Sequence, residues 1–515
     1  MRTLSSYLED RWQSGQAPNN TLYNATSGEP CAEVSSNGLD LAAALNHART
    51  KGGPTLRAMS FAQRGEMLAA MSAAIHENRE ELIAMSIENC GNTRKDAKFD
   101  IDGASGTLAY YAGLGRKLGD KTFVLDGDQV RISRSKRFMG QHIMSPRLGV
   151  AVHINAFNFP AWNLAEKAAA ALLAGVPVLS KPATATATVS ERVVQLWHER
   201  DLLAAGTFSL LCGSARDLLD HVNSLDCIVF TGSGDTAALI RSHATVVACN
   251  VPVNVEADSL NAAVLGPDVE PGSDTFYMFI AEVSHEITHR AGQKCTAVRR
   301  ILVPEALLDE TLEALKDRLD GAIVGDPNAS ATTVGPVATP AQQRDVSAGV
   351  AKLAACAERV WGDPESVPEQ GFYVAPQLFL ARGGVNADFV HDEEIFGPVA
   401  TVLPWSGDPD EAVDIVARGG GGLVTSVFSD DLDWSKKVLF GLAPWHGRIL
   451  WGSRKVHDQS TGHGTVMPSL VHGGPGKAGG GEELGGERGL RFYWQRTAVQ
   501  GDTSLLKRVF GSVDA

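Results

Sequence analysis

Long apolar runs, basic blocks and a paired cysteine set are all missing from this sequence, and each absence removes a class of function. Lysine and arginine number 46 against 60 aspartates and glutamates, a formal net charge of −14, with no cationic stripe. Nucleic acid and anionic membrane surfaces are therefore poor partners. The most apolar run, Ala168 to Leu179, is broken by Gly175 and Pro177 and is too short to cross a bilayer. The opening MRTLSSYLEDRWQSG is polar and lacks the apolar core of a signal peptide. Seven cysteines, an odd number scattered along the chain, make no disulfide framework and fit a reducing cytoplasm best. Most of them (Cys90, Cys212, Cys227, Cys249 and Cys356) read as buried small hydrophobes.

What is present is an ordinary globular composition, 44% hydrophobic and 21% charged, over 515 residues. That length suits roughly three domains. Between 148 and 256, β-rich runs (GVAVHINA, VPVLSKP, FSLLCGS, CIVFTGS, VPVNVEA) alternate with helical stretches. Several of the runs are apolar throughout, which describes a doubly wound parallel sheet covered on both faces, an α/β fold. Ligands of such sheets bind beyond the carboxyl ends of the strands, where this sequence turns rich in Asn, Lys, Gly and Ser. Residues 40–118 read as amphipathic helices able to pack on that sheet, and a second αβ series begins at Asn261. Residues 461–486 hold ten glycines, a density that excludes regular strand or helix. The histidines, prolines and paired glutamates among them favour an ordered loop over a flexible linker.

One stretch, SHEITHRAGQKC (284–295), carries two chemistries. His285, Glu286 and His289 spell H-E-x-x-H, the zinc and general-base arrangement of many metalloproteases. Cys295 follows the loop glycine Gly292 as a displayed nucleophile would. The zinc reading needs a third ligand, for which Glu305 is only a default candidate. A solvated helix face accounts for the two histidines and the glutamate without any metal, so no metal site is assigned.

The cysteine reading finds support elsewhere. INAFNFP (Asn155, Phe157, Asn158) ends the first strand and Lys181-Pro182 the second. Thr231-Gly232-Ser233 follows a later strand, and Glu256 ends the fifth. With Cys295, with Glu394 and Phe396 in EIFGP, and with the GGGEELG segment near the end, this ordered set resembles the aldehyde dehydrogenase superfamily along nearly the whole chain. The resemblance implies that Cys295 attacks an aldehyde as thiolate and that Asn158, with the Cys295 backbone N–H, stabilises the oxyanion. It implies that Glu256 activates the water that hydrolyses the resulting thioester. Glu394 and Phe396 would hold the nicotinamide ribose and ring, and Lys181 the adenosine ribose. Asn155, Phe157 and Thr231 would line the same coenzyme cleft, and Gly232 and Ser233 would meet the pyrophosphate. On their own terms Asn158 could cap the next helix and Glu256 could be an ordinary strand-end acid.

Two departures narrow the expectation. Relatives that prefer NAD often carry a glutamate where this chain has Thr184, so NADP is the expected coenzyme, and Ala237 replaces a usual glycine. EADSLN and the 461–486 segment resemble a branch whose members oxidise semialdehydes borne on coenzyme A thioesters in aerobic phenylacetate or benzoate degradation. A generic or a CoA-acylating dehydrogenase remains an alternative, although acylating enzymes usually lack the Glu256 equivalent. The domain expectation places a coenzyme-binding domain at 1–128 and 148–258 and a catalytic domain at 259–460. An oligomerisation element at 129–147 and 487–515 would make a cytoplasmic homo-oligomer, dimer or tetramer, with the glycine-rich loop at 461–486.

Overall fold

In the computed structural model, which describes residues 1–511, five strands form the expected parallel sheet: Ala151–Ile154, Val178–Lys181, Phe208–Leu210, Cys227–Thr231 and Val253–Glu256. The first strand is flanked by the second and the fourth, so the winding direction reverses there. That reversal opens a crevice at the carboxyl ends of the strands. Two antiparallel strands unforeseen from the polar N-terminus, Ser6–Leu8 and Arg11–Gln13, extend the far edge.

The helices of the N-terminal third run Phe61–Glu77, Arg79–Cys90 and Arg94–Leu118. Thr93 opens the last of these with a reciprocal capping box to Asp96, which satisfies two backbone donors at the helix start. Helix Trp162–Ala174 is buried at every position, Glu166 and Lys167 included. It lies between the sheet and the helical layer in one apolar cluster with Phe61, Leu68 and Leu108.

A second seven-stranded sheet has Ala262–Leu265 and Arg300–Pro304 side by side near its centre, flanked by Gly422–Phe428 and Val399–Trp405. It is parallel except for the edge strand Glu358–Trp361. A smaller sheet pairs Phe138–Pro146 with Trp494–Asp502 in antiparallel register, Pro146 opposite Trp494 and Phe138 opposite Asp502. The last four residues of the segment expected to form an oligomerisation element lie outside the described residues.

The glycine-rich segment is ordered, but not free of regular structure. Val471–Gly473 and Glu482–Leu484 pair as two short antiparallel strands around a single 3-10 turn, Gly476–Ala478. A Cβ at Gly473 would collide with the Gly481 carbonyl, and Gly473 has φ +143°, so glycine here permits close strand approach. Among the described residues no helix is long and apolar enough to cross a membrane.

Candidate active site

A cavity of about 850 Å³ opens at the carboxyl ends of the first sheet and receives side chains from both sheets. Asn155, Phe157, Asn158, Lys181, Thr184, Thr231, Gly232, Ser233 and Glu256 line it from strand ends of the first sheet. Cys295, Glu394 and Phe396 face them from the second. All twelve residues singled out in the sequence thus share one space.

Cys295 is displayed by a strained turn. Helix Asp274–Thr288 stops before His289, and Arg290 (φ 56°), Ala291 (φ 49°) and Gly292 (φ +67°) are all left-handed. Two such non-glycine residues in succession cost energy that the surrounding contacts must supply. Asn261, the last residue of EADSLN, donates its side-chain amide to the carbonyls of Cys295 (2.8 Å) and Ala297 (2.9 Å). Arg299 donates to the Gly292 and Gly397 carbonyls at 2.9 and 2.8 Å. The loop is therefore fixed on both sides of the nucleophile.

Sequence reasoning missed a residue beside the thiol. His472, from the first short strand of the glycine-rich segment, places Nε2 3.9 Å from Cys295 Sγ and 3.2 Å from Glu256 Oε2. Burial would raise the Glu256 pKa, but the charge and hydrogen bond of His472, then the charge of Lys167, hold the carboxyl below its usual range. Burial would lower the His472 pKa, and Glu256 reverses that and raises it. The pair is therefore ionic. Burial, then the Glu256 charge, raises the Cys295 thiol well above its usual value, so the resting group is a thiol beside a carboxylate that can accept its proton. Among the described residues Glu256 Oε1 has no hydrogen-bond partner and remains available to a proton donor.

Beneath Glu256, Lys167 Nζ lies 3.1 Å from both Glu166 and Glu483. Burial would lower the Lys167 pKa, and Glu483 and Glu166 overcome it. Burial raises Glu483, and the Lys167 charge does not fully restore it. One cation among several buried carboxylates leaves excess negative charge, which a proton shared within the cluster relieves. Asn158 does not cap the following helix, whose N-terminus has no side-chain cap. Its Oδ1 accepts a long bond from Asn163 (3.4 Å), and its amide nitrogen has no protein acceptor among the described residues.

The opposite end of the cavity suits a dinucleotide. Lys181 makes no ion pair among the described residues, and Thr184 spends its hydroxyl on the Gly213 carbonyl at 3.1 Å. Among the described residues, buried Asn155 Oδ1 and Thr231 Oγ1 have no hydrogen-bond partner, leaving polar capacity unspent in the lining. Ser233 caps helix Gly234–Ser242, while Asp258 Oδ2 already accepts from the Gly234 N–H at 3.1 Å. Phe157 and Phe396 pack edge-on with ring centroids 5.8 Å apart. Burial pushes Glu394 up to about 7 although Arg299 stands 3.2 Å away. Its other oxygen accepts from the Ser259 N–H at 3.0 Å.

The H-E-x-x-H helix is not a solvated face. Glu286 and His289 are buried, at 2% and 5% exposure. Glu286 Oε1 accepts from Lys294 Nζ at 2.7 Å, and His289 Nε2 lies 3.1 Å from Asp96. Glu305 is exposed and paired with Arg382, so the default third ligand does not join them. Lys294 immediately precedes Cys295, and Glu286 therefore anchors the nucleophile loop. Of the other cysteines, Cys90, Cys212 and Cys227 are buried as expected, whereas Cys249 is partly exposed and Cys356 exposed.

Residues 12–499 match the model of the aldehyde dehydrogenase family. The chain is 44% identical over 478 residues to 3,4-dehydroadipyl-CoA semialdehyde dehydrogenase of Aromatoleum evansii, covering 92% of this chain and 93% of that protein. Among solved structures it superposes on betaine aldehyde dehydrogenase of Staphylococcus aureus in complex with NAD+, with TM-score 0.84, 23% identity and 98% of each chain covered. Lactaldehyde dehydrogenase of Escherichia coli gives TM-score 0.85 at 21% identity, over 97% of this chain and 99% of that one.

Proposed function

The chain belongs to the aldehyde dehydrogenase family, and from that premise we propose that it oxidises a semialdehyde carried on a coenzyme A thioester to the carboxylate, with NADP as oxidant. Aldehyde oxidation with NAD or NADP is the family's chemistry. The finer reading is supported by the relative named for such a substrate and by the lining of the cleft. The observation that carries it is the meeting of Cys295, Glu256 and Asn158 in one cavity with the unpaired Lys181 at its far end.

Each residue has a step that its position permits. Glu256 takes the thiol proton of Cys295 as Sγ adds to the aldehyde carbon, so a C–S bond forms and the carbonyl π pair moves to oxygen. Asn158 Nδ2 and the Cys295 N–H donate to that oxyanion. A nicotinamide held by Glu394, Phe396 and the strand-end residues would supply a hydride acceptor. Asn158 with the Cys295 N–H would hold the adduct in place for that transfer, after which the acyl group stays on Cys295 as a thioester. Glu256 then removes a proton from water as it adds to the thioester carbon, and the thiolate leaves. His472 keeps Glu256 ionised for both tasks. The Lys167–Glu166–Glu483 cluster behind it can take up the surplus proton.

NADP is supported by charge. Among the described residues Lys181 has no carboxylate partner, and Thr184 adds none, so a 2′-phosphate meets attraction without repulsion. Thr184→Glu should lower NADP affinity about tenfold and favour NAD, since a partly screened like charge is worth about 1–4 kcal/mol. A wild type that already prefers NAD would undo the argument. In this reading the enzyme works in aerobic degradation of phenylacetate or benzoate, and the Phe138–Pro146/Trp494–Asp502 sheet is an assembly arm for a homo-oligomer. The test of the substrate is kcat/KM for a CoA-linked semialdehyde against a free aldehyde of matched chain length, each with NAD and NADP. Strong preference for the CoA-linked compound with NADP is expected, and equal specificity constants would exclude the handle.

A further inference from the structure

On the side of Cys295 away from the coenzyme residues, a narrow space is lined by Phe99, Phe159, Trp162, Val466 and His472. Phe99 forms part of its wall, with its ring edge-on to His289 at a centroid distance of 5.0 Å. His289 in turn lines a second cavity of about 890 Å³, as roomy as the 850 Å³ of the first. A wall residue of each space is thus in ring contact with a wall residue of the other.

The charge of the second cavity opposes that of the molecule. On a chain of net charge −14, its lining carries Arg94, Lys95, Lys98 and Arg318. Its one carboxylate, Asp96, is buried and held by His289. Among the described residues Lys95, Lys98 and Arg318 form no ion pair, and Arg94 has only an exposed contact with Glu80. The 328–333 loop adds the polar side chains of Asn328, Ser330, Thr332 and Thr333. Lys95 and Phe99 stand one turn apart on the same helix, so they share a face about 6 Å apart along the axis. A long ligand that passes Phe99 to reach Cys295 therefore trails its other end over Lys95.

We propose that this second cavity binds the phosphorylated nucleotide of coenzyme A, with the pantetheine arm crossing at Phe99 and His289 to deliver the aldehyde to Cys295. The assignment rests on the CoA-thioester reading above and adds the residues that recognise the handle. Phosphates lend a handle several negative charges, and clustered cations in a recess attract them more strongly than scattered surface lysines do. Energy gained at the handle can then orient the remote aldehyde at the nucleophile.

The test measures KM for a CoA-linked semialdehyde and for a matched free one at saturating NADP, in wild type and in Lys95→Glu/Lys98→Glu. Free CoA, 3′-dephospho-CoA and pantetheine serve as inhibitors. In wild type, CoA should compete with the CoA-linked substrate more strongly than dephospho-CoA, and pantetheine should be weakest. The double reversal should raise the ratio of the two KM values about tenfold or more and weaken CoA inhibition in parallel. Lys95→Gln/Lys98→Gln, which removes charge without adding repulsion, should shift the ratio in the same direction by less and covers any misfolding of the reversal variant. If wild type prefers the CoA-linked substrate but neither variant changes the ratio, the handle binds elsewhere and only this assignment falls. If wild type shows no preference, the substrate reading falls and this site with it.

Discussion

Two clusters in this protein hold nearly the same chemical groups and have different consequences. Glu256, Cys295 and His472 form one, and His285, Glu286 and His289 form the other. In each, the potential ligand atoms lie within 4.8 Å of one another. Glu256 faces the cavity with a thiol beside it, and the cation that pairs with it is an imidazole that can exchange a proton. Glu286 is held by a lysine ammonium at 2.7 Å, and a Cβ on Gly464 would strike both members of that pair. A carboxylate neutralised by a lysine and roofed by backbone is suited to anchoring, whereas one balanced by an imidazole at a cavity wall is suited to exchanging protons. The motif supplies the groups, and the countercharge decides their use.

The largest expected effect separates the clusters at once. Cys295→Ala should lower aldehyde oxidation by several orders of magnitude while NADP binding stays within a few-fold. Turnover near the wild-type rate would remove the covalent mechanism. Next comes Glu286→Gln, which leaves Lys294 buried without its countercharge, and breaking such a pair costs about 3–5 kcal/mol. A large drop in the denaturant midpoint is expected, with no zinc released on unfolding. An unchanged midpoint with loss of stoichiometric zinc would reverse the roles given to the two clusters. The smallest effect is a pH shift in His472→Asn. His472 holds the Glu256 pKa down, so its removal should raise that pKa. Activity that needs ionised Glu256 is lost as pH falls through its pKa, so the acid limb of kcat should move to higher pH by about one unit. An acid limb that stays in place would mean His472 has no electrostatic hold on the base.

The contrast also explains what the sequence could show. The strand-end residues were legible because apolar parallel strands carry their functional side chains at their carboxyl ends, where the polar motif is contiguous. Asn155, Lys181, Thr231 and Glu256 each end or directly follow such a strand. His472 was not legible. It lies 177 residues from Cys295, inside a segment whose glycines disguise two short strands. Lys167 was hidden for a related reason, since a charged residue on a buried helix looks solvated until its partner, here Glu483 from the GGGEELG segment, arrives from elsewhere in the chain. Glu286 and His289 read as a surface face because Lys294 folds back onto Glu286 only through the kinked 289–292 turn, and Asp96 comes from the helix Arg94–Leu118. Strands Ser6–Leu8 and Arg11–Gln13 escaped because three residues apiece are too few to display a period.

The central claim is that Glu256 and Cys295 act on one covalent intermediate while the neighbouring H-E-x-x-H cluster only holds the loop. It is tested most directly by mixing Glu256→Gln protein with the CoA-linked semialdehyde and NADP, quenching the reaction, and weighing the peptide that contains Cys295. The Glu256 charge raises the thiol pKa, so its loss lets Cys295 ionise without that base. The amide, by contrast, cannot take a proton from water, and hydrolysis should stall after hydride transfer. A burst of NADPH near one equivalent per site is expected, together with an acyl adduct on Cys295 that decays slowly. An unmodified Cys295 in a variant that still turns over, with activity abolished by a zinc chelator, would contradict the account.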